Sequence, residues 1–385
     1  MRAPVRVCMV NGTFFPVIGG AEQNMLRLAT HMHAEGREVL VVTYRVERKW
    51  PSRETINGVP VIRTGGLFLR GKLRRRWGLA TLPMLIALLR NRKRYDLIHV
   101  HEMLESAFVA IIAGRLLRKP VVMILENTAE YSEMNILRTH DGLIGRFMAS
   151  RILKSRAFAA AISSDCEREL LESGVPPSRV RRIPHCIDTS AFAKYAAGFP
   201  VNPAASQIVV CVARLVPQKA HAVLLDAWRQ VIDQVPTARL KLLGDGPLRG
   251  ELEAQATRLG IGGAVEFVGI THEVPTYLAQ ASIYVLPSWT EGLGIATIEA
   301  MYAGLACVAT RVPGSRDLIH HGQTGLLVEP GNVDELARAL LTFLTHPEFA
   351  RECGRRARAV VEATYTAQAV SNAYDQLYGE LMAAR

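Results

Sequence analysis

The sequence predicts an α/β protein built from two doubly wound, Rossmann-like domains facing each other across a cleft. Three observations carry that prediction. Apolar strand-like runs alternate with helical stretches along nearly the whole chain. The runs are continuously apolar, as strands of a parallel sheet covered on both faces are. The alternation stops once, in a loose stretch rich in proline and small residues, and then restarts.

In chain order, the first half opens on the strand VRVCMVN, the helix AEQNMLRLATHMHAEG and the strand REVLVVTY. The stretch from Pro51 to Leu89 is the least regular. It holds one long apolar run, WGLATLPMLIALL, in which Pro83 either kinks a helix or marks its true start. Then come YDLIHV, the helix SAFVAIIAGRLLR, PVVMIL and AFAAAIS. In SDCERELLESG, Ser164 and Glu167 have the spacing of a capping box, and Gly174 closes the helix. These elements form an N-terminal domain, residues 1–185. Residues 186–206, with Pro200 and Pro203, read as a linker. Six further runs, QIVVCVARL, RLKLLGDG, AVEFVGI, ASIYVLPS, LACVAT and GLLVEP, alternate with helices in a C-terminal domain, residues 207–364. Residues 365–385 are amphipathic and need a surface, which is expected to be that of the N-terminal domain. Ligands of such domains bind outside the carboxyl ends of the strands.

A chain of 385 residues is long for one compact domain and comfortable for two. Its formal net charge of +11 points to an anionic partner: a phosphate-bearing ligand, a nucleic acid or a membrane surface. The six cysteines form no C-x-x-C pair, and Cys8, Cys211 and Cys307 sit in strand-like runs as buried thiols. No disulfide or zinc framework is expected, which favours a reducing compartment. The N-terminus reads as a first strand rather than a signal peptide, and no apolar run reaches the roughly 18–20 residues of a spanning helix. The expected location is the cytoplasm or the inner face of the cell membrane.

Two loops of the second half carry chemistry. Arg214 ends a strand and Lys219 opens the next helix, so two cations flank the positive end of a helix dipole. That geometry suits a diphosphate, with Arg binding bidentately and Lys as a point charge. Alone, both also read as ordinary surface cations. In EGLGIATIEA, Glu291-Gly292-Leu293-Gly294 is a second strand-to-helix loop, with Glu299 one turn into the helix. The glycines let the backbone approach a ligand and present amides to an anion. Carboxylates repel a diphosphate but accept from vicinal diols, one of a sugar and one of a ribose. The alternatives are an exposed helix residue for Glu299 and an acid at a helix N-terminus for Glu291.

These motifs resemble those of the family 4 glycosyltransferases, the large retaining group with the GT-B fold. The family's E-x7-E signature stands at Glu291 and Glu299 within PSWTEGLGIATIEAMYAGLACVAT, and ARLVPQK matches its Arg and Lys pair. LLGDGPLRGELE and VPGSRDLIHHGQTGLLVEPGN match further stretches, and FFPVIGGAE resembles the N-terminal glycine loop. The resemblance implies that Arg214 and Lys219 bind the donor diphosphate. It implies that Glu291, Gly292, Leu293 and Gly294 meet the transferred sugar and phosphate, and that Glu299 binds the ribose. Gly244, Asp245 and Gly246 then lie near the nucleotide, and Gly19 and Gly20 meet the donor phosphate and the acceptor. His101, Glu126 and Asn127 are expected as contacts to the acceptor or the sugar. The likeness covers nearly the whole chain and is weakest from Pro51 to Leu89.

The chain departs from the family pattern in three places. Many relatives carry a His where this chain has Glu126-Asn127, the usual Asn of the linker motif is His185, and the usual Gly-Gly before Asp317 reads Pro313-Gly314. His99 and His101 share one face of a strand, but a metal site needs a third ligand and Glu102 points elsewhere by periodicity. There is no D-x-D, so no metal and no cofactor are expected, and the two cations must carry the diphosphate charge.

The expected function is transfer of a sugar from a UDP- or GDP-sugar, with retention, to a hydroxyl of a lipid-linked or saccharide acceptor. Between Thr55 and Tyr95 there is no Asp or Glu, while basic clusters at Arg70–Arg76 and Arg90–Arg94 flank the apolar run with Trp77 at its edge. Such a segment suits an anionic membrane surface; the alternative is a core helix with solvated charged ends. A nucleic acid is not expected as partner, since no reader motif is present. A dinucleotide oxidoreductase is disfavoured because GTFFPVIGGAE is not G-x-G-x-x-G. A sugar-nucleotide epimerase of similar fold, and a non-catalytic binder, are the competing readings.

Overall fold

Two parallel sheets organise the chain, one in each of two units: Met1–Cys186 with Ala367–Arg385, and Ile187–Thr366. The structure, a computed structural model, describes residues 5–17, 19–65, 77–127, 132–140, 142–195 and 207–384.

The first unit carries the strands β1 (Val7–Val10), β2 (Val39–Tyr44), β3 (Arg53–Ile56), β4 (Val59–Thr64), β5 (Leu97–Val100), β6 (Val121–Leu125), β7 (Phe158–Ala161) and β8 (Val180–Arg182). Their order is β3-β4-β2-β1-β5-β6-β7-β8, parallel except for β3 against β4. Every residue of β1, β5, β6 and β7 is buried, as continuous apolar runs covered on both faces require. The helices are α1 (Gly20–Ala34), α2 (Trp77–Arg90), α3 (Glu105–Leu117), α4 (Glu133–His140), α5 (Gly142–Leu153) and α6 (Ser164–Glu172). From β1 the chain steps to β2 through α1 in one direction, and from β4 through β5, β6 and β7 to β8 in the other. Right-handed crossovers therefore put α1 on one face and α2, α3 and α5 on the other. The C-terminal helix, Ala367–Ala383, packs on α1 and buries Val370, Tyr374, Leu377 and Tyr378.

Four local readings need correction. The irregular stretch after Pro51 holds the β3–β4 hairpin, closed by Asn57 and Gly58 at φ 48° and 83°. Both central residues have positive φ, the condition for a turn that Asn-Gly favours strongly. α2 runs through Pro83 from Trp77 to Arg90, so of the two readings of Pro83 the one that starts the helix there is ruled out. The cap of α6 is Ser163, whose hydroxyl accepts from the Cys166 amide at 3.3 Å, not Ser164. Of the stretch read as linker, Ile187–Tyr195 belongs to the second unit, where Phe192 packs edge-on to Tyr302 at 5.4 Å between ring centres. Residues 196–206, and the basic cluster Arg70–Arg76, lie outside the described residues.

The second unit carries β9 (Ile208–Val212), β10 (Arg239–Leu243), β11 (Val265–Gly269), β12 (Ile283–Leu286), β13 (Ala306–Thr310) and β14 (Gly325–Val328), in the order β11-β10-β9-β12-β13-β14. All pairs are parallel. Its helices are α7 (His221–Gln234), α8 (Arg249–Arg258), α9 (Val274–Gln280), α10 (Ile295–Tyr302), α11 (Pro313–Leu318), α12 (Val333–Thr345) and α13 (Pro347–Thr364); the C-terminal helix is α14. One core joins Trp228 and Leu224 of α7 to β9, β12, β13 and α12. The order reverses between β9 and β12, and that switch point opens a crevice for a ligand at the strand ends.

Candidate active site

At the carboxyl end of β9 the chain turns through Arg214 and then forms a single 3-10 turn, Pro217–Lys219. Lys219 thus precedes α7 rather than opening it; Ala220, at φ 50°, lies between them. The turn is held from two sides. Leu215 N donates to Asp245 O at 3.0 Å, and Ala213 N to Leu243 O at 2.9 Å. Gly244 and Gly246 permit this approach: a Cβ on Gly244 would meet Ala213 O at 2.1 Å, and one on Gly246 would meet Leu215 O at 2.4 Å. Gly244-Asp245-Gly246 is therefore the brace of the Arg214 turn. On the other side Trp289 N donates to Gln218 O at 2.9 Å, and Gln218 Nε2 to Thr290 O at 3.2 Å.

That stitching brings Lys219 onto the loop after β12. Its Nζ lies 2.6 Å from Glu291 Oε2, with both side chains largely buried. Ser288 Oγ donates to the same oxygen at 3.3 Å, while Glu291 Oε1 has no partner among the described residues. An ammonium has three donors, so Lys219 keeps two for a ligand. Arg214 is exposed and has no ion-pair partner among the described residues. Gly292 is half-buried, Leu293 and Gly294 are buried, and Gly294 caps α10 without a side-chain cap. The first-turn amides of α10 are thus open to an anion. Glu299 sits within α10, half-buried. Gly314 N donates to Glu291 O at 3.1 Å, which fixes the loop from α11.

In the first unit the predicted residues gather at the carboxyl ends of β1, β5 and β6. Gly19 caps α1 in extended conformation and Gly20 begins it; no side chain caps this end either. Glu102 Oε1 accepts from the Gly12 amide at 2.7 Å and from Ser106 Oγ at 3.2 Å. Burial, then the neighbouring charge of Glu105, raises its pKa to about 8. Burial likewise lifts Glu133, which accepts from Asn127 Nδ2 at 3.1 Å, to about 8. His101 is fully buried, and neither ring nitrogen has a partner among the described residues. Its ring lies 4.3 Å from that of His99, whose Nδ1 meets the Tyr378 hydroxyl at 2.7 Å. Burial lowers His99 to about 3, so it is neutral at ordinary pH. His101, expected as a contact to the acceptor or the sugar, is the buried residue that follows β5. No group of three His, Cys, Asp or Glu among the described residues is placed to hold a metal ion.

Two departures from the family pattern are neighbours. Glu126 Oε2 lies 2.6 Å from His185 Nε2, both buried. The contact is close but not a well-aligned hydrogen bond. A sequence reading treats the two positions separately; their complementary chemistry was the available signal. Ser288 and Gln218 lie inside the quoted motifs but were given no role, Glu102 was weighed only as a metal ligand, and Glu133 was missed because no motif marks it.

Comparisons agree with the fold. A family model described as Glycosyl transferases group 1 matches residues 199–360, and one described as Glycosyltransferase Family 4 matches residues 18–191. Among curated proteins, the N-acetyl-alpha-D-glucosaminyl L-malate synthase of Bacillus anthracis is 23% identical over 96% of each chain. The GDP-mannose-dependent alpha-(1-6)-phosphatidylinositol monomannoside mannosyltransferase of Mycolicibacterium smegmatis is 33% identical over 53% of this chain and 54% of its own. Among solved structures, Anabaena HepE in complex with UDP superposes with a TM-score of 0.76 at 21% identity, covering 99% of this chain and 100% of that one.

Proposed function

Because the chain belongs to glycosyltransferase family 4, we propose that it transfers a sugar from a UDP- or GDP-sugar to a hydroxyl of a lipid-linked or saccharide acceptor. The reaction retains the anomeric configuration and needs no metal ion. The observation that carries this reading is the Lys219–Glu291 contact at 2.6 Å, beside exposed Arg214 and the open first turn of α10. Cationic donors and a carboxylate with one free oxygen suit a diphosphate joined to a polyol. Two relatives support the donor class: the HepE structure holds UDP, and the mannosyltransferase is GDP-mannose-dependent.

In this mechanism the acceptor oxygen attacks the anomeric carbon on the face the diphosphate leaves. The sugar–phosphate bond breaks, the new glycosidic bond forms, and the acceptor proton passes to the departing diphosphate. No protein nucleophile takes part. Arg214, Lys219 and the α10 amides stabilise charge growing on the diphosphate. Glu291 orients both Lys219 and the sugar hydroxyls, and Glu299 binds the ribose. Most of the rate then comes from positioning and leaving-group stabilisation.

Nucleotide release from a panel of UDP- and GDP-sugars, with and without candidate acceptors, tests the proposal. Lys219→Ala is expected to lower kcat by about 10²–10³-fold. Arg214→Ala, at an exposed position, gives the same direction without a folding risk. EDTA is expected to leave the rate unchanged. Near-normal turnover in both variants would overturn the assignment, and donor turnover that is indifferent to acceptor would favour an epimerase.

A further inference from the structure

The helix layer formed by α2, α3 and α5 has an unusual surface. α2 packs on α3, and α3 on α5. Apolar side chains stand out of this layer into solvent: Leu82 and Ile86 of α2, Leu116 of α3, and Leu143, Ile144 and Phe147 of α5. Leu143 is 83% exposed, Ile144 66% and Leu116 62%, although the opposite side of α5 buries Met148, Ala149 and Ile152. Singly exposed apolar residues are ordinary; a set gathered on one layer marks an interaction surface.

The same layer is almost free of acids. Residues 77–94, 105–118 and 142–156 include one, Glu105, against cations at Arg90, Arg92, Lys93, Arg94, Arg115, Arg118, Arg146, Arg151, Lys154 and Arg156. Beside α5 opens a cavity of about 800 Å³. Arg138, Arg146, Lys154 and Arg179 line it, and none of the described lining residues is an acid.

We infer that the α2–α3–α5 layer docks on an anionic lipid bilayer, with Leu143, Ile144 and Phe147 entering the interface and the cation-lined cavity beside α5 receiving a lipid phosphate. Apolar residues inside a basic rim are what an interfacial helix presents to acyl chains and headgroups. No described helix is long and apolar enough to cross a membrane, so the contact is with one leaflet. Two other occupants fit less well. A nucleic acid would stack on aromatic rings, and the exposed apolar set is aliphatic except for Phe147. A second copy would set two cationic faces against each other, which costs free energy. The inference does not depend on the proposed sugar transfer.

Flotation of the full chain on vesicles tests it, using phosphatidylcholine alone or in equimolar mixture with phosphatidylglycerol. The parent protein is expected to float with the mixed vesicles and to be released by salt. The triple variant Leu143→Gln, Ile144→Gln, Phe147→Gln changes only exposed side chains and is expected to lose about a hundredfold in partition. Arg146→Gln with Lys154→Gln is expected to lose the preference for phosphatidylglycerol. A triple variant that floats like the parent overturns the inference, as does a parent protein that binds neutral and anionic vesicles equally. A parent that ignores vesicles but dimerises through this face in sedimentation, or shifts DNA, overturns it in favour of the other occupants. Because the readout requires no turnover, its failure leaves the glycosyltransferase reading intact.

Discussion

Glu102 sits with its carboxyl against the Gly12 amide, and burial holds its pKa at about 8. In the unfolded chain the group titrates near its ordinary 4.5. Below that pH both states are protonated and neither is favoured. As pH rises from about 4.5 to about 8, the unfolded state ionises while the folded state does not, and stability falls through that window. Glu102→Gln is neutral throughout, so its Tm relative to the parent is expected to rise across the same window, by at least about 3 °C. Calorimetry at the two ends checks this; a flat difference would mean that Glu102 is not held protonated. Glu126 and His185 give a second residue-scale prediction. Glu126→Gln and His185→Asn each leave one buried partner unmatched, so a double-mutant cycle in urea is expected to show a coupling of about 1–3 kcal/mol. Additive effects would mean that the contact carries no net energy. Each of these residues was visible in the sequence as an exception, but their pairing was not. It joins a strand end to a segment 59 positions later, and no local pattern encodes such a contact.

At the scale of elements, continuous apolar runs made β9, β12, β13 and β14 legible, because a buried parallel strand has little polar to interrupt it. The β3–β4 hairpin was harder. Its strands are short and half-exposed, and the Asn57-Gly58 signal lay between residues with weak strand character. The same scale shows why some glycines cannot change. A Cβ on Gly314 would lie 2.4 Å from Gly292 O and 2.7 Å from Glu291 O, so Gly314→Ala must push the Glu291 loop. A Cβ on Gly354 of α13 would lie 1.9 Å from Gly304 O, at the opposite end of α10 from that loop. Both substitutions are expected to cost about 1–3 kcal/mol in urea unfolding. Only Gly314→Ala is expected to weaken nucleotide binding by calorimetric titration. Equal binding by the two variants would detach Gly314 from the site.

At the scale of the whole molecule, the alternation of strands and helices and its single interruption were enough to read two α/β units. An amphipathic last helix in search of a surface was also legible. Its partners were not: Tyr378 reaches His99 across 279 positions, and Arg37 pairs with Asp375. These contacts make the first unit discontinuous and the second continuous. Residues 187–366 expressed alone are therefore expected to unfold in one cooperative transition. Residues 1–186 alone are expected to lack one, having lost the aromatic cover over His99. Far-ultraviolet circular dichroism through a urea series checks both; a cooperative transition for 1–186 would show α14 to be dispensable.

The second unit begins and ends at one place. Ile187 N donates to Tyr365 O at 2.9 Å, and Ile187 bridges Thr366 in parallel. A unit whose entry and exit are neighbours can be lifted out and replaced without stretching the chain that hosts it. The second unit is thus a cassette. If the proposed function holds, grafting a homologous 187–366 segment between Cys186 and Ala367 is expected to exchange the nucleotide preference while leaving the residues of the first unit as they are.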